Sequence, residues 1–279
     1  MGQHVGTYYV PLSTRVVMDR KKVIEKYLKY VPKFLHQTTH ERRKIGEFFL
    51  YYRICDQGYP KDKPVYMTKE NCLRNATSRF PLKRVNWMVL ADNVSDQTYQ
   101  MICRYVPESQ VRRVQVGDGA GTFRMVLDEA LKHADHDFVY FLEDDYLHVP
   151  GAMEKLIHAA ESNYADYLTL YDHPDKYGDE SPNPFVIRGG EKTKLYWCDT
   201  HHWKETNSTT MTFAAFVDTL KQDKETLYRW TETKHPFDFQ MFIELKLFGK
   251  RKLINAVPSL STHGETAYLA KGIDWEKQI

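Results

Sequence analysis

Residues 137–151 read DFVYFLEDDYLHVPG, and this stretch decides the fold. Its first part, residues 138–142, is apolar or aromatic and includes a β-branched valine, which predicts a buried strand. Three carboxylates, residues 143–145, follow at once. Pro150 suits the first turn of a helix, and apolar residues then recur at helical spacing. The sequence therefore predicts an acid cluster where a buried strand ends and a helix follows.

The acid cluster needs a physical explanation, because adjacent carboxylates repel one another. A chain tolerates three of them beside a core when a cation or hydrogen-bond donors share the charge. A divalent metal that holds a diphosphate is one such arrangement. A solvated turn after a strand is the ordinary alternative for an isolated EDD.

The chain before the acid cluster alternates between strand and helix patterns. Strand-like runs lie at 47–55, 85–90, 111–116 and 138–142, and polar or glycine-rich turns follow them. This alternation predicts an α/β fold with a parallel sheet and helices on both faces. Ligands collect at the carboxyl ends of such strands. Asp56, Asp92 and Asp118 all lie at predicted strand ends, as the acid cluster does.

The later chain indicates one continuous domain. A strand at 166–171, a hairpin formed by 185–187 and 194–197, helices at 217–230 and 238–249, and a strand at 251–257 are predicted. No linker rich in Gly, Ser or Pro and no repeat is present. We therefore predict a single domain over 1–279, with a first half at 46–162 and a second half at 163–279. Residues 1–45 form an N-terminal helical embellishment, whose helix should end at Pro32.

Composition excludes several classes of protein. The 279 residues carry a net charge of +2 without a long block of like charge, which argues against nucleic acid as a partner. No apolar run approaches the roughly 18 to 20 residues needed to span a membrane, and the N-terminus lacks the apolar core of a signal peptide. We expect a soluble, cytoplasmic protein. The four cysteines form no CxxC pair, so neither a zinc site nor a disulfide framework is indicated.

Three motifs, taken in order, resemble inverting nucleotide-sugar glycosyltransferases of the GT-A fold. They are ADNVSDQT at 91–98, FLEDD at 141–145 and the segment 235–263, which runs from HPFDFQ to the late histidine. The resemblance implies a Rossmann-like, mixed, mainly parallel sheet flanked by helices. It also implies that the half at 46–162 binds the nucleotide sugar and that the half at 163–279 binds the acceptor and carries catalysis. EDD replaces the usual DxD, and Phe237 precedes Asp238 where the family more often has Glu. In overall character the chain looks closest to small glycosyltransferases of large algal viruses, which include a xylosyltransferase.

The resemblance also implies roles in donor binding. Asp145 and His263 would bind Mn²⁺ or Mg²⁺, which would hold the diphosphate of a UDP-sugar. Asp144 would bond the ribose hydroxyls and Asp92 the uracil ring. The other nucleotide-site candidates are Glu143, Arg124, Arg53 and Asp56. Asp92 could instead begin a turn or cap a helix, Arg124 could be a solvated helix residue, and His263 could be an ordinary loop histidine.

The resemblance assigns the catalytic base to Asp238, which would take the proton of an acceptor hydroxyl. Asp238 could instead be only a helix N-terminal acid after Pro236. Asp172 and Glu265 are reserve bases. An oligosaccharide or glycoprotein acceptor would meet His202, Trp203 and Asp172, with the indole stacked on a sugar face. His201 and His202 lack further ligands at zinc-like spacing.

Three other functions use similar residues. A sugar-1-phosphate nucleotidyltransferase shares a related sheet, but no glycine-rich basic signature lies near the first strand. A glycan-binding protein of the same fold would not need both Asp145 and Asp238. A metal-dependent hydrolase would use the same acids without a nucleotide sugar.

Overall fold

The computed structural model describes residues 19–35, 41–58, 60–178, 181, 183–198 and 200–279. The chain divides into two compact units, residues 1–40 and residues 41–279. The first contains helix α1 (Arg20–Leu35), so the predicted N-terminal helix is present and continues beyond Pro32. The rest of the predicted embellishment at 1–18 and 36–40 lies outside the described residues.

The second unit contains the strands and the remaining helices. The strands are β1 (Phe48–Cys55), β2 (Asn86–Asp92), β3 (Val111–Val114), β4 (Phe138–Glu143), β5 (Tyr146–His148), β6 (Tyr167–Thr169), β7 (Leu195–Cys198), β8 (His201–Thr206), β9 (Phe213–Phe216), β10 (Leu253–Val257) and β11 (Ser261–His263). The helices are α2 (Lys69–Arg79), α3 (Asp96–Cys103), α4 (Gly119–Ala130), α5 (Ala152–Glu161), α6 (Val217–Gln222), α7 (Lys224–Arg229) and α8 (Asp238–Leu247). Among the described helices, none combines the length and the apolar character that crossing a membrane requires.

Nine strands form one sheet in the order β3-β2-β1-β4-β9-β6-β10-β8-β7. Strands β8 and β9 run antiparallel to their neighbours, and the other seven share one direction. The predicted α/β fold with a mixed, mainly parallel sheet is therefore confirmed. The predicted hairpin is wrong, because β7 pairs with β8. Residue Val186 of the other predicted arm instead forms an isolated bridge with Glu191.

Strand β4 lies at the centre of the core. Its residues from Phe138 to Leu142 are all fully buried, and alternate side chains point to opposite faces of the sheet. On one face they pack with α2, α3 and α5, and on the other with α4, α6, α7 and α8. Each large apolar side chain buried in this way contributes roughly 1.5–3 kcal/mol. A strand covered on both faces explains the unbroken apolar run that precedes the acid cluster.

Side-chain caps begin the three helices that follow β1, β2 and β3. Thr68, Ser95 and Asp118 each accept a hydrogen bond from the backbone N–H three residues later. Such caps satisfy donors that have no partner within the helix. Asp118, an acid expected at the ligand-binding edge, therefore serves as the N-cap of α4.

A two-stranded ribbon formed by β5 and β11 was not predicted. Its antiparallel register places His263 opposite Tyr146, directly after the acid cluster. A side chain at Gly264 would place its Cβ 2.9 Å from the backbone oxygen of Asp145. Glycine at this position therefore permits the close approach that brings His263 to the acids.

The buried His148 makes the fold sensitive to acid. Burial lowers the pKa of His148 to about 3 from its ordinary 6.5, and Nε2 lies 2.9 Å from the Tyr140 hydroxyl. The unfolded chain binds this proton below pH 6.5 and the folded chain does not, so stability is lost as pH falls from 6.5 towards 3. We expect His148 to account for about 2 kcal/mol of the stability lost between pH 7 and pH 5.

Urea denaturation at pH 7 and pH 5 measures this loss in the wild type and in His148→Gln. His136→Gln, at an exposed position, is the matched control. The loss should shrink in His148→Gln and stay unchanged in the control. An equal loss in all three proteins would contradict the explanation.

Candidate donor and acceptor site

The acid cluster lies where β4 turns into the β5–β11 ribbon. Glu143 ends β4, and Asp144 and Asp145 form the turn. Only 14% of the Asp144 side chain and 7% of the Asp145 side chain are exposed. Two adjacent carboxylates are therefore almost buried, which is costly unless positive charge faces them.

Three basic groups contact one oxygen of Asp145. Lys61 Nζ and Lys63 Nζ each donate to Oδ2 at 3.0 Å, and His263 Nε2 lies 3.3 Å from the same atom. Lys61 Nζ is also 2.9 Å from His263 Nε2. Both lysines come from the loop after β1, whereas the histidine comes from β11. The structure thus brings the predicted pair Asp145 and His263 together.

Asp144 has separate partners from the other side. Its Oδ2 accepts from Lys69 Nζ at 3.1 Å and from the backbone N–H of Cys55 at 3.2 Å. Lys69 is the first residue of α2, and Cys55 ends β1. These contacts fix the carboxylate against the carboxyl end of the neighbouring strand.

The two carboxylates titrate in opposite directions from the ordinary value. Burial alone would raise the pKa of Asp145, but the contact with His263 and the charges of Lys61 and Lys63 hold it well below its usual range. Burial raises the pKa of Asp144, and the negative charge of Asp145 adds to that effect. Asp145 is consequently the acid of the pair that loses its proton first.

Glu143, the first residue of the acid cluster, forms an ion pair with Arg53. Arg53 Nη2 lies 3.2 Å from Glu143 Oε1, and the buried guanidinium also donates to the backbone oxygens of Gly119 and Met211. Arg53 therefore joins β1 to the start of α4 and to the segment before β9. Its Nε is buried without a partner among the described residues.

Asp92 and Asp56 make hydrogen bonds with neighbouring loops. Asp92 accepts hydrogen bonds from the backbone N–H groups of Val116 at 2.6 Å and Gly117 at 2.9 Å. Gly117 has a positive φ of 82°. Asp56 accepts from the backbone N–H of Ser95 and from the Thr98 hydroxyl. Both acids thus fasten loops at the carboxyl edge of the sheet.

A small cleft opens between these loops. It is lined by Arg53, Ile54, Cys55, Gln57, Asp92, Gly117, Asp118, Gly119, Thr122, Glu143 and Asp144, and its volume is about 110 Å³. Four of the predicted donor-site residues, Arg53, Asp92, Glu143 and Asp144, therefore line one cleft. Arg124 lies two positions beyond Thr122 on α4, a spacing that directs the two side chains away from each other. Burial raises the pKa of Tyr228 to about 12 and the charge of Arg124 opposes this rise, so Arg124 lies near Tyr228.

Asp238 begins α8 and is half-buried. Burial raises the pKa of Asp238 to about 6, and the negative charge of Glu143 adds to this rise. A hydrogen bond from the Phe239 backbone N–H opposes it. The charge of His173 also opposes this rise. A carboxyl group with this pKa can accept a proton near neutral pH.

Asp172 belongs to a buried network. Lys204 Nζ lies 3.0 Å from Asp172 Oδ1 and 3.3 Å from Glu191 Oε2, and the Tyr177 hydroxyl donates to Asp172. Burial raises the pKa of Asp172, and Lys204 opposes that rise. An open cavity of about 560 Å³ lies beside the network and is lined by Asp172, Pro174, Tyr177, Gly178, Pro258, Ser259 and Lys271.

The predicted acceptor wall needs a correction. The Trp203 side chain is fully buried, so its ring has no surface to stack on a sugar. Alternation along β8 turns the neighbouring His202 outwards. His202 pairs in register with Trp197, which is 56% exposed, and their ring centroids are 4.7 Å apart. The sequence analysis did not predict a role for Trp197, because it paired residues 194–197 with 185–187 instead of with β8.

The basic residues around the acids were also missed. Lys61, Lys63 and Lys69 follow β1 and open α2, so their position after a strand end was a usable signal.

The residues at Asp145 do not fit a divalent cation well. Asp145 and His263 are suitable ligand types for Mn²⁺. However, two lysine ammonium groups share the carboxylate oxygen that would bind the ion. Across the described ranges, no group of three or more His, Cys, Asp or Glu residues is placed to hold a metal ion.

Comparison with known proteins gives a family match and a fold match. The model of glycosyl transferase family 2 matches residues 69–219, more than half of the chain. No curated protein sequence matches. Among solved structures, GalNAc-T7 with UDP, GalNAc and Mn²⁺ superposes with a TM-score of 0.52 at 11% identity, over 78% of this chain and 43% of that one. This similarity shows the GT-A fold.

Two structures of S. aureus TarS 1-349 are also similar, each with a TM-score of 0.46. The first has 14% identity over 80% of this chain and 59% of the other. The second, in complex with UDP-GlcNAc, has 13% identity over 84% and 61%. This chain thus spans less than two thirds of each solved chain. The match over residues 69–219 establishes that the chain belongs to glycosyl transferase family 2.

Proposed function

We propose that this protein transfers a sugar from a UDP-sugar to a hydroxyl group of a glycan, with inversion at the anomeric carbon. The observation that carries the proposal is the placement of Asp238. Its carboxyl group has a pKa raised to about 6 and lies under the influence of Glu143, at the edge that holds the acid cluster. A base beside a diphosphate-binding edge is what inverting transfer requires.

The donor nucleotide would bind at the cleft between Asp92 and Asp144. The cleft volume of about 110 Å³ is below the roughly 300 Å³ of typical ligand pockets, so it has room for a base ring and the rest of the nucleotide would lie along the rim. Asp144 at that rim would meet the ribose, and Asp92 would keep the loop around the base in place through its two backbone contacts. In support, the solved GalNAc-T7 that shares the fold was crystallised with UDP.

The chemical step involves one proton and two bonds. The acceptor oxygen attacks the anomeric carbon from the face opposite UDP, and the bond from that carbon to the phosphate oxygen breaks. UDP leaves with the bonding electrons, and Asp238 takes the acceptor proton. The nearby cavity beside Asp172 and the exposed pair of Trp197 and His202 are our candidates for acceptor binding. Asp172 is less suited to be the base, because Lys204 and Tyr177 already engage it.

Xylose is the donor sugar that we propose to test first, and it rests on the sequence resemblance alone. A pentose differs from a hexose by one hydroxymethyl group, so pocket volume decides between them. The Mn²⁺ or Mg²⁺ ion predicted at Asp145 and His263 also remains a prediction. We assign no catalytic step to it, because the contacts of Lys61 and Lys63 disfavour it.

Donor binding is tested by the melting temperature of the wild type with UDP and a panel of UDP-sugars. At a hundredfold excess over Kd, a ligand that binds only the folded chain adds about 2.7 kcal/mol of stability. We expect a rise of several degrees with UDP and a larger rise with the true donor. Adenosine diphosphate, which has the same diphosphate, is the control. If no uridine nucleotide raises the melting temperature, the proposal fails and a glycan-binding or hydrolase function takes its place.

Asp238→Asn tests the base. We expect kcat to fall by about 100- to 10,000-fold, because the variant cannot accept the acceptor proton, while UDP affinity stays unchanged. In the wild type, kcat should rise with pH up to about 6 and then level off, because the carboxylate form is required. Asp274→Asn, which alters an exposed acid paired with Lys277, is the control. If Asp238→Asn retained most of the activity, Asp238 would not be the catalytic base and another acid would have to serve.

A further inference from the structure

The loop after β1 carries two lysines that no role described above uses. Lys61 and Lys63 both donate to Asp145 Oδ2 at 3.0 Å, and Lys61 also contacts His263. Their side chains are 32% and 28% exposed, whereas that of Asp145 is 7% exposed. The ammonium groups therefore lie between a buried carboxylate and the solvent side of the donor edge.

The direct contacts of Asp144 and Asp145 bring several ammonium groups to one turn. Lys61, Lys63 and Lys69 face the two carboxylates of Asp144 and Asp145, so three positive charges meet two negative ones. Glu143 does not change the balance, because Arg53 is paired with it. In these direct contacts, ammonium groups therefore outnumber carboxylates by one.

The same lysines conflict with a divalent cation. An ion coordinated by Asp145 Oδ2 at about 2.1 Å would lie within about 5 Å of both ammonium nitrogens. It would add two positive charges at a point where two already share one oxygen. The lysines would have to leave before such an ion could bind.

We propose that Lys61 and Lys63 bind the diphosphate of the donor directly and supply the positive charge that a metal ion would otherwise provide. The inference rests on the proposed function. A lysine ammonium has three N–H donors, so both residues keep donors beyond those used on Asp145 and His263. Lysine binds phosphate as a point charge, and positive charge at the departing diphosphate stabilises it as the glycosidic bond breaks. Asp145 is then a positioning residue that holds the two lysines at the donor edge.

Calorimetric titration of UDP into the wild type, in EDTA and then in Mn²⁺, is the first arm of the test. We expect the two Kd values to agree within about threefold, because charge-assisted contacts to lysine need no metal. Binding only in Mn²⁺ would overturn this inference and leave the proposed function in place. Failure of UDP to bind in either condition would overturn both. This arm needs no variant and is decisive even if the variants fail to fold.

The second arm uses the double variant Lys61→Gln with Lys63→Gln. In EDTA its Kd for UDP should rise by about tenfold or more, whereas its Kd for uridine, which lacks the diphosphate, should stay within about twofold. The paired Arg variant, which keeps both charges, should retain UDP binding. Lys132→Gln is the matched control, because Lys132 forms an exposed ion pair with Glu129. Equal UDP affinity in the wild type and the Gln double variant would overturn the inference.

Discussion

Burial of two adjacent carboxylates is the constraint on which the donor edge depends. Asp144 and Asp145 sit at the end of a strand covered on both faces, where water cannot solvate them fully. Positive charge must therefore come from the chain itself. It comes from the loop after β1 and from the first residue of α2, and β11 adds a histidine contact. One turn of the chain thus brings three distant segments together. Losing one partner of such a buried group typically costs several kcal/mol.

The same edge uses charged side chains to hold backbone in place. Arg53 joins β1 to the start of α4, and Asp92 fastens the loop after β3 through two backbone N–H groups. Because these contacts satisfy buried polar groups, they define the walls of the cleft. The residues that resemble nucleotide ligands in the sequence are thus also those that shape the site before any ligand arrives.

Much of the fold was predictable because its signals are local. The strands β1 to β4 and the helices between them follow from apolar runs, periodicity and caps within a few residues. Strand β8 was missed because its sequence, HHWKET, reads as polar, and only tertiary contacts explain how Lys204 can be buried against Asp172 and Glu191. The same register, invisible in the sequence, decides that His202 faces outwards and Trp203 inwards.

The site was predictable in part for the same reason. The acid cluster, Asp92 and Asp238 follow the motif order, and the structure places Asp92 and the acids at one edge. The contact of His263 with Asp145 depends on the pairing of β5 with β11, which local sequence patterns do not predict. The partners of Asp145 in the loop after β1 depend on how that loop folds back over the strand end, so periodicity alone could not assign them.

The β5–β11 ribbon also affects the order in which the protein is completed during synthesis. Lys61 and His263, which meet at Asp145, lie 202 positions apart. The strands β1 to β4 are synthesised long before this contact can form, and a domain generally folds as a unit. Asp145 cannot contact His263 until β11 has been synthesised and paired with β5. The donor edge is thus completed only after β11 has been synthesised.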